Sequence, residues 1–307
     1  LKISSPIFEW EVDLLQWLSE HRNGFIDVVM QIFNFTGEVM FFALILPLIY
    51  WVFSKRVGLT LALVMFSSFY INVFLKDLFQ VPRPFVAYPE RITPQFTLDS
   101  YSFPSGHAQH SLSFWGLFAA LLRIKWLFAA IAVIVLGVGT ARMYAGVHYP
   151  SDVVTGWIVA IFILGGAHLI NGWLTKHQLS TKLLIAIAIL APVVLIPLYH
   201  LISGAGADHE GAYQAAGLLA FSILGYAWER EKLRFVIPKK WSRRLIAFVI
   251  GVIGLLVIKE GLKLITPDHY WMDFVRYGLL GLWTIAIAPW IFIKLRLYTS
   301  NDRQQLS

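Results

Sequence analysis

Three short polar stretches carry residue types that can bind and cleave a phosphate ester. Lys76 and Arg83 fall in KDLFQVPRP (76–84); Ser105, Gly106 and His107 follow Pro104; Arg142, His148 and Asp152 fall in RMYAGVHYPSD (142–152). Guanidinium forks match phosphate oxygens bidentately. Lys76, Arg83 and Arg142 supply up to three positive charges, enough to balance a phosphate dianion or a pyrophosphate. A hydrogen bond to a charged group is worth about 1.5–3 kcal/mol, against about 0.3–1 kcal/mol for an exposed helix dipole. The arginines should therefore dominate binding. Pro104-Ser105-Gly106-His107 stands directly before an apolar run, where a helix begins. A helix N-terminus exposes unpaired N–H groups and a partial positive charge, which seat an anion. There Ser105 serves as N-cap and ligand, Gly106 admits an oxyanion close to the backbone, and His107 is held in the first turn.

His148 and Asp152 complete the chemistry. A neutral imidazole is a competent nucleophile at phosphorus when a carboxylate holds its other N–H. Asp152 lies four residues beyond His148, across Pro150, and can reach back to it. His107 is then the general acid for the departing oxygen, a role typically worth about 10²–10⁴ in rate. No metal and no cofactor are needed, and three converging cations would repel a divalent ion. Singly, each residue has a plainer explanation: an interfacial Lys76 or Arg83, a hydrogen-bonded histidine, a helix-start carboxylate. The set, with these spacings, is what points to catalysis.

What must position these residues is a membrane-embedded helical body. The 307 residues are 58% hydrophobic and 14% charged, with a mean hydropathy of +0.66; soluble domains carry about 25% charged residues. A span needs about 20 mostly apolar residues. Nine stretches qualify, near 33–53, 57–76, 107–122, 126–145, 152–174, 183–202, 212–228, 244–264 and 272–293. Ahead of them, residues 5–22 suggest a helix lying in the membrane interface, with Ser5 as N-cap and Pro6 in its first turn. Ile7, Trp10, Leu14, Leu15, Trp17 and Leu18 form its apolar face, and Glu9, Asp13, Gln16 and Glu20 its polar face. A helix packed on the bundle is the alternative. The expected fold is all-α: a polytopic membrane helical bundle of about nine transmembrane helices with an N-terminal interfacial amphipathic helix.

The loops set the orientation. Lys55-Arg56, Arg123 and Lys125, Lys176 and Lys182, the EREKLRFVIPKKWSRR loop (229–244), and Lys294 with Arg296 all fall on one side. Lys and Arg in short loops mark the cytoplasmic face. The net charge of +7 therefore reads as topology, and nucleic acid is not an expected partner. An odd number of spans leaves the N-terminus and the three polar stretches extracytoplasmic and the C-terminus cytoplasmic. With no cysteine, a disulfide framework and a thiolate metal site are both excluded. Leu1 is followed by neither a basic region nor a small-residue cleavage site, so no signal peptide is expected.

Lys76-x6-Arg83-Pro84, Pro104-Ser105-Gly106-His107 and Arg142-x5-His148-x3-Asp152 together resemble the three-part signature of the type-2 phosphatidic acid phosphatase superfamily, which also includes the vanadium haloperoxidases. The resemblance covers residues 76–152, extends loosely over the first five spans, and is specific in spacing. It implies that His148 is phosphorylated, Asp152 supports it and His107 protonates the leaving group. By the same resemblance Lys76, Arg83, Ser105, Gly106 and Arg142 hold the phosphoryl group without a metal. Ala141 stands where the family usually has Ser, which removes one phosphate hydrogen bond. Residues 1–174 then read as the interfacial helix plus catalytic core, and 175–307 as a four-span extension packed on it. The layout looks like that of glucose-6-phosphatase and sphingosine-phosphate phosphatase relatives.

Other polar residues carry weaker signals. Lys259, Glu260 and Lys263, in the outer half of a span, either pair and snorkel or recognise a headgroup. Glu38, early in the first span, could line the site. Asp208, His209, Glu210, Asp268 and His269 read as outer-loop residues, and His168 and His200 as makers of local hydrogen bonds.

The expected function is a metal-independent membrane phosphatase. It would hydrolyse a lipid phosphate or diphosphate monoester at the outer face through a phosphohistidine, with the bilayer and the phosphorylated lipid as its partners. A soluble sugar phosphate is the alternative substrate. A transporter or flippase of a phosphorylated lipid fits less well, because such sites lie near the midplane and between repeats, whereas this one sits at a rim in a chain without a repeat. A haloperoxidase would use the same pocket with vanadate, but those relatives are soluble.

Overall fold

The computed structural model describes residues 8–177, 179–203 and 209–301. The expected cap at Ser5 and Pro6, together with Ile7 and Asp208, lies outside these residues. In chain order the helices are α1 (Glu9–Glu20), α2 (Gly24–Phe35), α3 (Val39–Leu48), α4 (Lys55–Phe79), α5 (Pro84–Ala87), α6 (Gly106–Ser111), α7 (Leu117–Leu122), α8 (Lys125–Tyr144) and α9 (Pro150–Lys176). There follow α10 (Thr181–Ile202), α11 (His209–Trp228), α12 (Trp241–Leu256), α13 (Leu262–Ile265), α14 (Tyr270–Leu282) and α15 (Ala288–Lys294). A two-residue antiparallel pair, β1 (Phe235–Val236) with β2 (Thr299–Ser300), is the sole strand pairing among the described residues. The architecture is that of an all-α membrane protein.

The span count differs from the expected nine. Six helices among the described residues are long and apolar enough to cross a bilayer, and a seventh counts if the bent pair Gly24–Phe35 and Val39–Phe53 forms one span. Two expected spans fall short. The run from Gly106 to Leu122 is short and includes a π-helical stretch at Leu112–Gly116, while α11 dilutes its apolar residues with His209, Glu210, Gln214 and Ser222. Counted as one span, the bent pair starts earlier than residue 33. Asn23 caps α2 by accepting from the Ile26 amide at 3.1 Å. The chain then bends by 51° between α2 and α3, where Thr36 turns its hydroxyl back to the Phe33 carbonyl at 2.8 Å. Pro47, inside α3, is followed by a π-helical turn at Ile49–Phe53.

By packing, the chain forms two compact units, one from Leu1–Phe42, Ile71–Ile170 and Ile202–Asp208, the other from Ala43–Tyr70, Asn171–Leu201 and His209–Ser307. In the first unit, α1 buries Glu11, Val12 and Leu15. The two apolar residues pack with Val81, Ile92 and Tyr149. Leu15 belongs to the expected apolar face, whose Trp10 and Trp17 remain about half exposed at 54% and 53%. The polar face is engaged as well: Arg91 donates to Glu9 and Asp13, both at 2.6 Å, and to Gln16 at 2.9 Å. α2 lies tightly on α8, because a Cβ at Gly137 would meet Phe33 Cδ1 at 2.3 Å.

The second unit centres on Trp51, whose indole donates to the Thr284 carbonyl at 2.8 Å while its own carbonyl accepts from Tyr298 at 2.6 Å. Lys55 pairs with the buried Glu229. Lys259 pairs with Glu260 at 3.1 Å on an exposed face. His200 bonds the Tyr213 hydroxyl at 2.9 Å, and His269 caps α14 through the Trp271 amide at 3.2 Å.

Candidate active site

Pro150 opens α9 and places Asp152 in its first turn, four residues from His148 and one helical turn below it. His148 Nδ1 lies 3.2 Å from Asp152 Oδ2, and the two side chains are 2% and 1% exposed. The same carboxylate oxygen accepts from the Tyr149 amide at 2.8 Å and from the Ser102 hydroxyl at 2.5 Å. On the far edge of the ring, Nε2 lies 3.3 Å from Arg83 Nη1. A guanidinium has donors only and an ionised carboxylate acceptors only. The surroundings therefore fix the tautomer: the proton sits on Nδ1 facing Asp152, and the lone pair sits on Nε2 facing Arg83. Burial, then the charges of Arg83, Lys76, Arg142 and His107, hold the imidazole well below its ordinary range, so it stays neutral.

The cations are pinned. Arg83 donates to the Ser100 carbonyl at 2.7 Å, the Ser100 hydroxyl at 2.9 Å and the Val147 carbonyl at 2.8 Å. Lys76 donates to the carbonyls of Tyr101 and Ser102, the latter at 3.2 Å. Arg142, only 1% exposed, donates from Nη1 to Asn34 Oδ1 at 2.6 Å and lies 5.1 Å from the centre of the Phe96 ring. Its Nε is buried with no hydrogen-bond partner, and so is His107 Nε2.

The 104–107 turn is fastened to α9 and α4. The Ser105 amide donates to the Asp152 carbonyl at 3.0 Å. The Ser105 hydroxyl caps α6 by accepting from the Ala108 amide at 3.4 Å. Asn72, buried on α4, donates to the Pro104 carbonyl at 3.3 Å and to Gln109 at 2.9 Å. A Cβ at Gly106 would come within 2.8 Å of Asn72 Oδ1. The space on the Cβ side of this glycine is thus taken by a neighbouring helix.

All eight residues singled out in the sequence lie in one compact unit. The His148–Asp152 pair and Arg83 are in direct contact; Ser105 joins Asp152 through the backbone; Lys76 bonds to loop carbonyls. Sequence reasoning missed Ser102, which touches Asp152, and Ser100, which holds Arg83. No spacing rule marks either. Asn72 and Asn34 had a legible signal, since each is a polar side chain one helical turn before a charged residue, Lys76 or Glu38, in an apolar stretch.

Fold and site together define a polytopic helical membrane protein with a buried His–Asp pair among fixed cations. The family model of the PAP2 superfamily matches residues 57–176, which contain all eight, and that of the PAP2 superfamily phosphatase transmembrane extension matches residues 213–300. The chain belongs to the PAP2 superfamily. It is 30% identical over 241 residues to the probable sphingosine-1-phosphate phosphatase of Dictyostelium discoideum, covering 71% of this chain and 56% of that one. It is 31% identical over 147 residues to the undecaprenyl-diphosphatase BcrC of Bacillus subtilis, covering 47% and 74%. The chain spans about half the length of several of the curated relatives it matches. A solved transmembrane PAP2-type phosphatidylglycerolphosphate phosphatase from Bacillus subtilis shares 22% identity with a TM-score of 0.47, covering 55% of this chain and 86% of that one.

Proposed function

We propose that the protein is a metal-independent membrane phosphatase that hydrolyses a lipid phosphate or diphosphate monoester at the extracytoplasmic face through a phosphohistidine. The observation that carries this reading is the pair of buried, unpartnered polar atoms, His107 Nε2 and Arg142 Nε, in the unit that presents the His148 lone pair to Arg83. Leaving such a group unsatisfied costs about 1–3 kcal/mol; a bound tetrahedral oxyanion gives Arg142 an acceptor and His107 a leaving-group oxygen to protonate.

In this mechanism His148 Nε2 attacks the terminal phosphorus, and its bond to the bridging oxygen breaks, an ester bond in a monophosphate and an anhydride bond in a diphosphate. His107 gives its proton to that departing oxygen, of an alkoxide or of a lipid phosphate, and Asp152 stabilises the positive charge that develops on the imidazole. Water then attacks the phosphohistidine, His107 takes a proton from it, and inorganic phosphate leaves with His148 restored. Lys76, Arg83, Ser105, Gly106 and Arg142 hold the phosphoryl oxygens, Lys76 through the third ammonium donor that its two carbonyl partners leave over.

A lipid is favoured over a soluble sugar phosphate by the apolar helices that carry the site and by relatives named for lipid phosphates. The topology that goes with this reading has nine spans, the N-terminus outside and the C-terminus inside. Residues 1–174 would form the catalytic part and 175–307 the extension.

One experiment tests these elements together. Sealed right-side-out and inside-out vesicles are given a panel of lipid phosphates, isoprenyl diphosphates and sugar phosphates in excess chelator. Release of phosphate from a lipid presented to right-side-out vesicles is expected. A strict divalent-ion requirement, activity only in inside-out vesicles, or a preference for sugar phosphates would each overturn the corresponding element.

A further inference from the structure

The geometry points to Asn34 as a positioning residue for Arg142, with Glu38 fixing which way its amide faces. The inference deepens the phosphatase reading and rests on it. Arg142 is almost wholly buried, and the hydrogen bond from its Nη1 to Asn34 Oδ1 is short, at 2.6 Å. One turn along, Asn34 Nδ2 donates to Glu38 Oε1 at 2.8 Å. The orientation of the amide follows from chemistry: the guanidinium can meet only its oxygen, and the carboxylate only its nitrogen. Glu38 thus acts on Arg142 through a neutral amide, and Nε is left unpartnered. A carboxylate in direct contact would neutralise the cation and compete with the substrate oxyanion. An amide orients the fork and keeps its positive charge available.

The local fold explains why this contact exists. α2 approaches α8 closely enough for Phe33 to occupy the space a side chain at Gly137 would fill. The next residue, Asn34, meets Arg142 near the end of α8, and the bend at Thr36–Glu38 turns the chain away after the relay is complete.

Orthovanadate, a stand-in for the tetrahedral phosphoryl group, reads the positioning apart from turnover. Full-length protein carrying Asn34→Ala should stay folded in detergent with a lowered melting temperature, lose about ten-fold in kcat/KM and require about ten-fold more vanadate for half-inhibition. Asn34→Asp places a carboxylate against Arg142. Its vanadate affinity should be weaker still at neutral pH and recover as the pH falls and that carboxyl takes a proton. Glu38→Gln should show a smaller loss of the same kind. Should Asn34→Ala fail to fold, the pH dependence of Asn34→Asp relative to wild type decides. Unchanged vanadate inhibition in folded Asn34→Ala, or a pH-independent loss in Asn34→Asp, would overturn the role of Asn34 alone. Wild-type protein indifferent to vanadate would instead remove the phosphoryl site on which the inference depends.

Discussion

His148 is kept neutral by the same surroundings that would attract its substrate. Burial and three cations disfavour the imidazolium in the free protein, and a phosphate ester entering with its own negative charge offsets those cations. The sign of the pH effect follows. Because the folded-state value is depressed, the neutral, nucleophilic ring persists below the usual histidine range of about 6.5, and activity falls only as the pH drops through the lowered value. The acid limb of kcat/KM, which reports the free enzyme, should therefore lie well below pH 6.5, and the acid limb of kcat should lie at higher pH. Coincident limbs near the ordinary value would contradict this electrostatic picture. At this scale the sequence was informative wherever residues are close along the chain: the interval from His148 to Asp152 predicts their contact because a helix starts at Pro150. It was silent about Ser102 and Ser100, whose contacts with Asp152 and Arg83 depend on the path of a loop.

Between elements, missing side chains decide how closely helices approach. At Gly137 even one methyl group would collide with the Phe33 ring. Gly137→Val should therefore separate α2 from α8 and destabilise the protein by about 1–3 kcal/mol. It should also weaken kcat/KM, because Asn34 moves with Phe33. Adding Phe33→Ala should restore part of both losses, which thermal melting and steady-state kinetics on the double variant would measure; additive losses would show that the close approach is irrelevant. Hydropathy located the helices well, but it did not reveal the bend after Phe35, the π-helical turns or the early start of α2. The early start, the bend and the first π-helical turn go with Asn23 capping, Thr36 back-bonding and Pro47, which are local effects that an average over apolar residues cannot register. In α1, Leu15 of the expected apolar face packs inward together with Val12, which the sequence reading did not place on it. Its tryptophans are large and apolar, yet Val12 and Leu15 are what fit against Val81, Ile92 and Tyr149.

For the whole molecule, composition together with the long apolar runs was enough for the class of an all-α membrane protein. The grouping into compact units was not legible, because each draws on three separated stretches of chain. Of the nine expected spans, six or seven are long and apolar enough among the described residues, since a polar turn shortens one candidate helix and polar residues dilute another. What gives the molecule its proposed activity is the convergence of residues from 76 to 152 on one histidine. The most direct test is to mix the protein with a radiolabelled lipid phosphate, quench within milliseconds under alkaline denaturing conditions that preserve phosphohistidine, and map the label by peptide mass. A phosphoryl group on His148, absent from a folded and inactive His148→Ala variant, is the predicted result. Label on another residue, or turnover that persists in His148→Ala, would contradict the account.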